Sequence, residues 1–259
     1  MSDYKVALVT GAAKRLGAAI VRDLHQHKFN VVIHYRNSSA AAKAMCHELN
    51  QIRPDSSFCV QADLAKTNEV KTLCDKATNK WGRVDVLVNN ASSFSPSYLG
   101  ETTEDKWDDI FASNSKAPFF ISQYLTPTLK KNQGVIINMI DIHGDKPLKN
   151  HTVYSMAKSS LAMLTRALAK ELAPDIRVNG ISPGAILWPQ LNSDTVVSQM
   201  IEQELNENSV SESQKKNVVS NIPLGRIGKV EDITKTVNFL LNAPYITGQI
   251  IVVDGGRSL

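Results

Sequence analysis

The sequence predicts an α/β domain in which a doubly wound, parallel, seven-stranded sheet is covered by helices on both faces. Three observations carry this. Short apolar segments alternate with amphipathic ones along most of the 259 residues. Several of the apolar segments are nearly continuous hydrophobic runs, as strands are when a parallel sheet is buried on both faces. The first strand, Val6-Ala7-Leu8-Val9-Thr10, passes through a glycine-bearing turn directly into a helix. Such a rhythm implies right-handed crossovers and ligand binding at the carboxyl ends of the strands. The length suits a single domain with one sizeable core, spanning residues 1–259.

The elements follow in order. Strands are expected over 5–10, 30–35, 57–62, 84–89, 135–140, 176–181 and 249–253. Helices are expected between them, over 16–27, 40–51, 68–81, 104–129, 153–172 and 230–241, where the pattern turns amphipathic. The rhythm breaks once, over 184–221, a stretch rich in Ser, Asn, Glu and Gln that loses its pattern after Pro189. It reads as a substrate lid with a short helix rather than a second domain.

Composition narrows the function classes. A net charge of +4 with no basic block argues against nucleic acid. No apolar run approaches the ~18 residues of a membrane span. Residues 1–5 run straight into a strand, with no signal peptide visible. Cys46, Cys59 and Cys74 have neither metal spacing nor even pairing, so they read as reduced thiols of a cytoplasmic protein. The six histidines form no metal cluster, and His143 is taken as incidental. No metal is expected.

The turn Gly11-Ala12-Ala13-Lys14-Arg15-Leu16-Gly17 lets the backbone approach a pyrophosphate at a helix N-terminus. An NAD site places an acid ~20 residues beyond its glycines, on the ribose 2′-hydroxyl. The corresponding stretch here, His34-Tyr35-Arg36-Asn37-Ser38, has none. Arg36, Asn37 and Ser38 can instead bind a 2′-phosphate, with Lys14 and Arg15 adding charge, so the expected cofactor is NADPH. Arg36 also fits a solvated loop residue. Asp63, beside Leu64 at the end of the third strand, fits either an acceptor for the adenine amino group or a cap for the next helix. Asn89-Asn90-Ala91-Ser92 closes the fourth strand on the same edge.

Asp141, Tyr154 and Lys158 are the candidate proton-transfer group. Tyr154 and Lys158 stand one helical turn apart and share a face. A free tyrosine titrates near ~10, and a neighbouring ammonium is expected to draw Tyr154 down toward the working range. Asp141 ends an apolar strand, where it is read either as part of the site or as a loop acid or cap.

Taken together, the segments Thr10 to Gly17, Asn89-Asn90-Ala91, Tyr154-Ser155-Met156-Ala157-Lys158 and Ser182-Pro183-Gly184 resemble the short-chain dehydrogenases/reductases in order and spacing. The resemblance runs from about residue 4 to Leu259 and implies a Rossmann-type fold. It also implies that Tyr154 is the general acid, that Lys158 lowers its pKa and binds the nicotinamide ribose, and that Asn114 holds a water relay. Pro183 and Gly184 would meet the cofactor. A homotetramer with the Tyr154 helix and its neighbour at the interface is implied as well.

Three departures resemble the pteridine reductase subfamily. Arg15 replaces the usual middle glycine, Ser92-Ser93-Phe94 follows Asn89-Asn90-Ala91 where a glycine is usual, and Asp141 replaces the usual catalytic serine. In that subfamily the matching arginine, serine and phenylalanine contact cofactor and pterin, and the phenylalanine stacks on the pterin ring.

The chemistry agrees. A serine hydroxyl donates to the alkoxide that forms when a ketone is reduced, whereas a carboxylate repels it. Reducing a pterin double bond requires a proton on ring nitrogen, which a carboxyl bonded to Tyr154 can relay or orient. Phe94 offers a flat face to a heterocycle, and fits a core residue too. Leu187 and Trp188 would give the lid an apolar inner surface, although Trp188 equally fits packing on the scaffold or a partner subunit. The expected function is therefore NADPH-dependent reduction of an oxidised or dihydro pterin or folate. The rivals are a dihydromonapterin reductase, a 3-ketoacyl or carbonyl reductase and, in another class, a non-catalytic NADP(H) sensor.

Overall fold

Seven parallel strands form one sheet in the order β3-β2-β1-β4-β5-β6-β7. The computed structural model describes residues 4–186 and 218–259. The strands are β1 (Val6–Val9), β2 (Asn30–Tyr35), β3 (Ser57–Gln61), β4 (Val86–Asn89), β5 (Val135–Met139), β6 (Arg177–Pro183) and β7 (Ile250–Val253). The chain winds outward from β1 to β3, then returns to lay β4 on the other side of β1. Strand order therefore reverses at β1 and β4, and a crevice opens beyond their carboxyl ends.

Alternation along the strands decides which helices cover which face. Ala7 and Val9 point to one side, with α1 (Arg15–Gln26), α2 (Ser39–Ile52) and α7 (Val230–Asn242). Val6 and Leu8 point to the other, with α3 (Thr67–Trp81), α5 (Ala117–Lys131) and α6 (Thr152–Leu172). Ile20, Val21 and Leu24 bury one stripe of α1, while Leu73, Ile121 and Leu125 are fully covered on the opposite layer. Truncating one of these leucines to alanine costs about 2–5 kcal/mol.

The helix expected over 104–129 is interrupted. α4 (Glu104–Phe111) passes into a π turn, Ala112–Lys116, before α5 begins. Pro118 is the physical reason. It has no N–H to give the carbonyl of Asn114, and its ring crowds that carbonyl, so a regular ladder cannot continue through this turn. Ala117 N–H reaches back five residues to Ala112 instead. The widened turn carries Asn114.

The two ends of the proposed lid meet at its root. Ala185, Val218 and Ile222 bury one another with Ile227 beside them, and Gly228 N–H donates to the Ala185 carbonyl at 2.9 Å. Leu187, Trp188 and most of 184–221 lie outside the described residues.

Candidate active site

A cleft of about 590 Å³ occupies the crevice, running from the turn after β1 to the start of α6. At its floor the β1 turn is locked to β4. Thr10 Oγ1 accepts from the backbone N–H of Asn90 and of Ala91, at 2.9 and 3.0 Å, and Asn90 Nδ2 donates to the carbonyls of Thr10 and Gly11. Both glycines are required here. Gly11 has φ +61, and a Cβ would come 2.8 Å from Ala91 Cα. A Cβ on Gly17 would come 2.5 Å from the Gly11 carbonyl oxygen. Arg15, at the position the resemblance gives to a glycine, keeps a glycine-like φ of 56. That costs an arginine about 1–2 kcal/mol, and such strain collects at functional sites. Lys14, Arg15 and Leu16 all line the cleft. The cradle fits a pyrophosphate: a close backbone approach, a helix N-terminus and basic side chains.

His34 is tied directly to the glycine turn. It is buried, with Nδ1 accepting from Gly11 N–H at 3.0 Å and Nε2 facing the Ala62 carbonyl at 3.1 Å. The first bond fixes the tautomer, so Nε2 carries the proton and donates. Burial pushes the imidazole pKa down to about 4. His34 is thus a neutral brace between the glycine turn and the end of β3 that also touches the cleft.

Tyr35, Arg36, Asn37, Ser38, Asp63 and Leu64 form the distal end of the cleft. Arg36 extends across its mouth to Asp109 of α4, with Nη1 to Oδ1 at 3.3 Å. Asp63 Oδ1 accepts from Ala65 N–H at 3.1 Å, and Asp63 N–H donates to Glu69 Oε2 at 2.7 Å, so this acid shapes the turn into α3. It does not cap α3, contrary to one sequence reading: that helix starts after Lys66 with no side-chain cap, and the Asp63 bond lies in the turn before it.

Asn114 is fully buried beneath the loop after β4. Its Nδ2 donates to the Ser93 and Ile110 carbonyls at 2.8 and 2.9 Å, and its Oδ1 accepts from Ser92 Oγ at 2.7 Å. Ser113 Oγ accepts from Ser93 N–H at 2.9 Å. The π turn thereby anchors the Ser92–Ser93 step at the cleft wall.

At the inner end, Tyr154 is the third residue of α6 and donates from its hydroxyl to Asp141 Oδ2 at 2.8 Å. Asp141 Oδ1 accepts from His143 N–H at 2.9 Å and caps the short turn that follows β5. Asp141 is therefore both a site residue and a cap, one role per oxygen. Lys158 Nζ donates to the Met139 carbonyl at 2.9 Å. Asp141, Tyr154 and Lys158 all line the cleft, as do Pro183 and Gly184 on the β6 side. Gly184 is held against Asp254, whose Cβ a side chain at 184 would strike at 2.5 Å.

The electrostatics correct one expectation. Burial, followed by the Asp141 carboxylate, pushes the Tyr154 phenol well above the ordinary tyrosine value, with the Ser92 hydroxyl opposing slightly. The ammonium does not pull it down. The carboxylate touches the phenolic oxygen, whereas Lys158 is turned to a carbonyl, 5.6 Å from the ring centroid. Lys158 itself is pushed down to about 8 by burial, partly offset by Asp141. At neutral pH the tyrosine is a fully protonated donor aimed at a carboxylate.

Phe94 is half-buried at the edge of a small apolar cluster. Its ring stacks on His151 with centroids 4.6 Å apart and meets Tyr154 edge-on at 4.7 Å, in a cluster with Ile110, Val153 and Ala157. It is not among the described residues lining the cleft. Sequence reasoning missed Thr10 as the hub of the turn, His34 as its brace, His151 as the partner of Phe94, and Asp109. Only Thr10 stood in a recognised motif.

Among the described residues, no group of three or more His, Cys, Asp or Glu could hold a metal ion, and no helix is long and apolar enough to cross a membrane. The three cysteines are free thiols.

Comparison with known proteins places these features in a family. A family profile described as enoyl-(acyl carrier protein) reductase matches residues 11–258. The chain is 38% identical to pteridine reductase 1 of Leishmania tarentolae, covering 98% of this chain and 96% of that protein. It is 37% identical to the 3-oxoacyl-[acyl-carrier-protein] reductase FabG of Staphylococcus epidermidis, covering 97% and 98%. Versicolorin reductase stcU of Emericella nidulans is 32% identical, covering 98% of this chain and 96% of that protein.

Proposed function

This chain belongs to the short-chain dehydrogenase/reductase superfamily of oxidoreductases, and within it we propose an NADPH-dependent pteridine reductase acting on an oxidised or dihydro pterin or folate. The observation that carries the reading is the 2.8 Å bond from the Tyr154 hydroxyl to the Asp141 carboxylate. A ketone reductase needs a hydrogen-bond donor beside its tyrosine, to stabilise an alkoxide. Asp141 puts an acceptor there.

The chain's own residues then have defined tasks. Gly11, Arg15 and Gly17 cradle the pyrophosphate, and Arg36, Asn37 and Ser38 take the 2′-phosphate. Lys158 and Asn90 hold the nicotinamide end. The bound nucleotide supplies a hydride to a pterin carbon, and the adjoining ring nitrogen then needs one proton. Tyr154 holds that proton at neutral pH, because its pKa is raised. When Asp141 gains a proton from solvent, its carboxyl donates to the phenolic oxygen and the phenolic O–H turns to the ring nitrogen. Ser92, exposed at the wall, meets the polar edge of the pterin together with Arg15. Phe94, outside the cleft lining, holds Tyr154 edge-on. We place the enzyme in the cytoplasm as a homotetramer.

A 3-ketoacyl reductase is the second reading, supported by the FabG relatives, which are about as similar as the pteridine reductase. A dihydromonapterin reductase would share the aspartate. The test is an NADPH-oxidation panel containing dihydrobiopterin, dihydromonapterin, dihydrofolate and a 3-ketoacyl thioester, repeated with NADH. Turnover of a pterin or folate, faster with NADPH, is expected. Turnover of the thioester alone would sink the proposal.

A further inference from the structure

Asp109 stands where the proposed cofactor site needs no carboxylate. Its Oδ1 accepts from Arg36 Nη1 at 3.3 Å, and both residues line the cleft. The main chain beside it is fixed, because Ser113 Oγ donates to the Asp109 carbonyl at 3.3 Å and accepts from Ser93 N–H. The exposed Lys71–Asp75 pair within α3 involves no residue of the cleft, and the Lys66–Asp63 pair reaches it through Asp63 alone, within the turn into α3. The Arg36–Asp109 pair joins the end of β2 to α4 across the cleft mouth.

We propose that Asp109 sets the discrimination between phosphorylated and unphosphorylated nicotinamide dinucleotides, by competing with the 2′-phosphate for Arg36. The inference rests on reading Arg36 as the 2′-phosphate ligand. A guanidinium engaged by a carboxylate must release or share it to receive a phosphate, and the two anions then repel each other. NADH has no 2′-phosphate and encounters neither cost. Asp109 is thus a brake on NADPH affinity. Because the pair is half exposed, the brake is worth about two- to fivefold in Kd.

The experiment measures Kd for NADPH and for NADH by fluorescence titration of the full chain. It uses wild type, Asp109→Asn, Arg36→Ala and the double variant, at low and high salt. Asp109→Asn is expected to tighten NADPH about two- to fivefold with NADH unchanged, and the gain is expected to shrink as salt rises. Most of the gain should vanish in the Arg36→Ala background. Weaker NADPH binding in Asp109→Asn, an equal shift for both cofactors, or a gain that survives without Arg36 would overturn the proposal. Arg36→Ala alone separates the two levels. If it leaves the NADPH preference intact, the reading of Arg36 fails. If it abolishes the preference while Asp109→Asn changes nothing, only the role of Asp109 fails.

Discussion

Tyr154 donates its phenolic proton to Asp141 Oδ2 across 2.8 Å, and the other oxygen of that carboxylate is held at 2.9 Å by the His143 backbone N–H. The carboxylate is thus oriented by the main chain on one side and faces the proposed general acid on the other. Burial and this partner together keep the phenol protonated far into the alkaline range. In the proposed chemistry the proton starts on the phenol, with its acceptor already in hydrogen-bond contact.

Replacing Asp141 with Asn keeps the shape and removes the proton acceptor. Pterin turnover should fall by about 10²-fold or more, the scale of general acid–base assistance. The loss should appear in kcat more than in KM, because the cofactor cradle is untouched. Steady-state kinetics with a dihydropterin checks this.

Lys158 titrates near 8 in the folded protein, below the ordinary lysine value of 10.5, so its charge is present below that pH and lost above it. If the ammonium holds the cofactor, kcat/KM should decline as pH rises through about 8. Asp141 supports the lysine charge, so Asp141→Asn should move the alkaline limb to lower pH. A limb that stays in place or moves upward would contradict the electrostatics.

His34 gives a stability signature. Its folded pKa of about 4 lies below its ordinary value of 6.5, so the unfolded chain takes up a proton first as pH falls. The stabilisation is complete above pH 6.5 and is lost between there and 4, amounting to roughly 3 kcal/mol. His34→Phe should be less stable at pH 7 by about 1–3 kcal/mol, because Gly11 N–H and the Ala62 carbonyl lose their partner. Its stability should also fall less than that of wild type on going from pH 6.5 to 4. Urea titrations across that window measure both.

Arg15 separates strain from charge. Arg15→Gly removes a strained left-handed backbone but adds freedom to the unfolded chain, so Tm should hold or rise slightly. NADPH affinity should nevertheless fall, because the guanidinium is gone. Calorimetry and a cofactor titration read the two effects independently.

Much of the fold was legible because its signals are local. Continuous apolar strands, the Gly11 to Gly17 turn and the Tyr154–Lys158 spacing each follow from a few adjacent residues. Other features depend on contacts that sequence separation hides. The π turn follows from Pro118 denying a donor to Asn114, a consequence visible only once a single helix is seen to be impossible there. The raised pKa of Tyr154 depends on burial, and a helical repeat does not report burial. The stack of His151 on Phe94 joins residues far apart in the chain, which no local pattern reports. Arg36 looked free until α4 brought Asp109 across the cleft.

The most direct test compares kcat/KM for a dihydropterin with kcat/KM for a 3-ketoacyl thioester, in wild type and in Asp141→Ser. Wild type is expected to favour the pterin. The serine variant is expected to lose pterin turnover by about 10²-fold or more while thioester turnover rises or is unchanged. A wild-type enzyme that prefers the thioester, or a serine variant that reduces pterin as well as wild type, would contradict the proposed function.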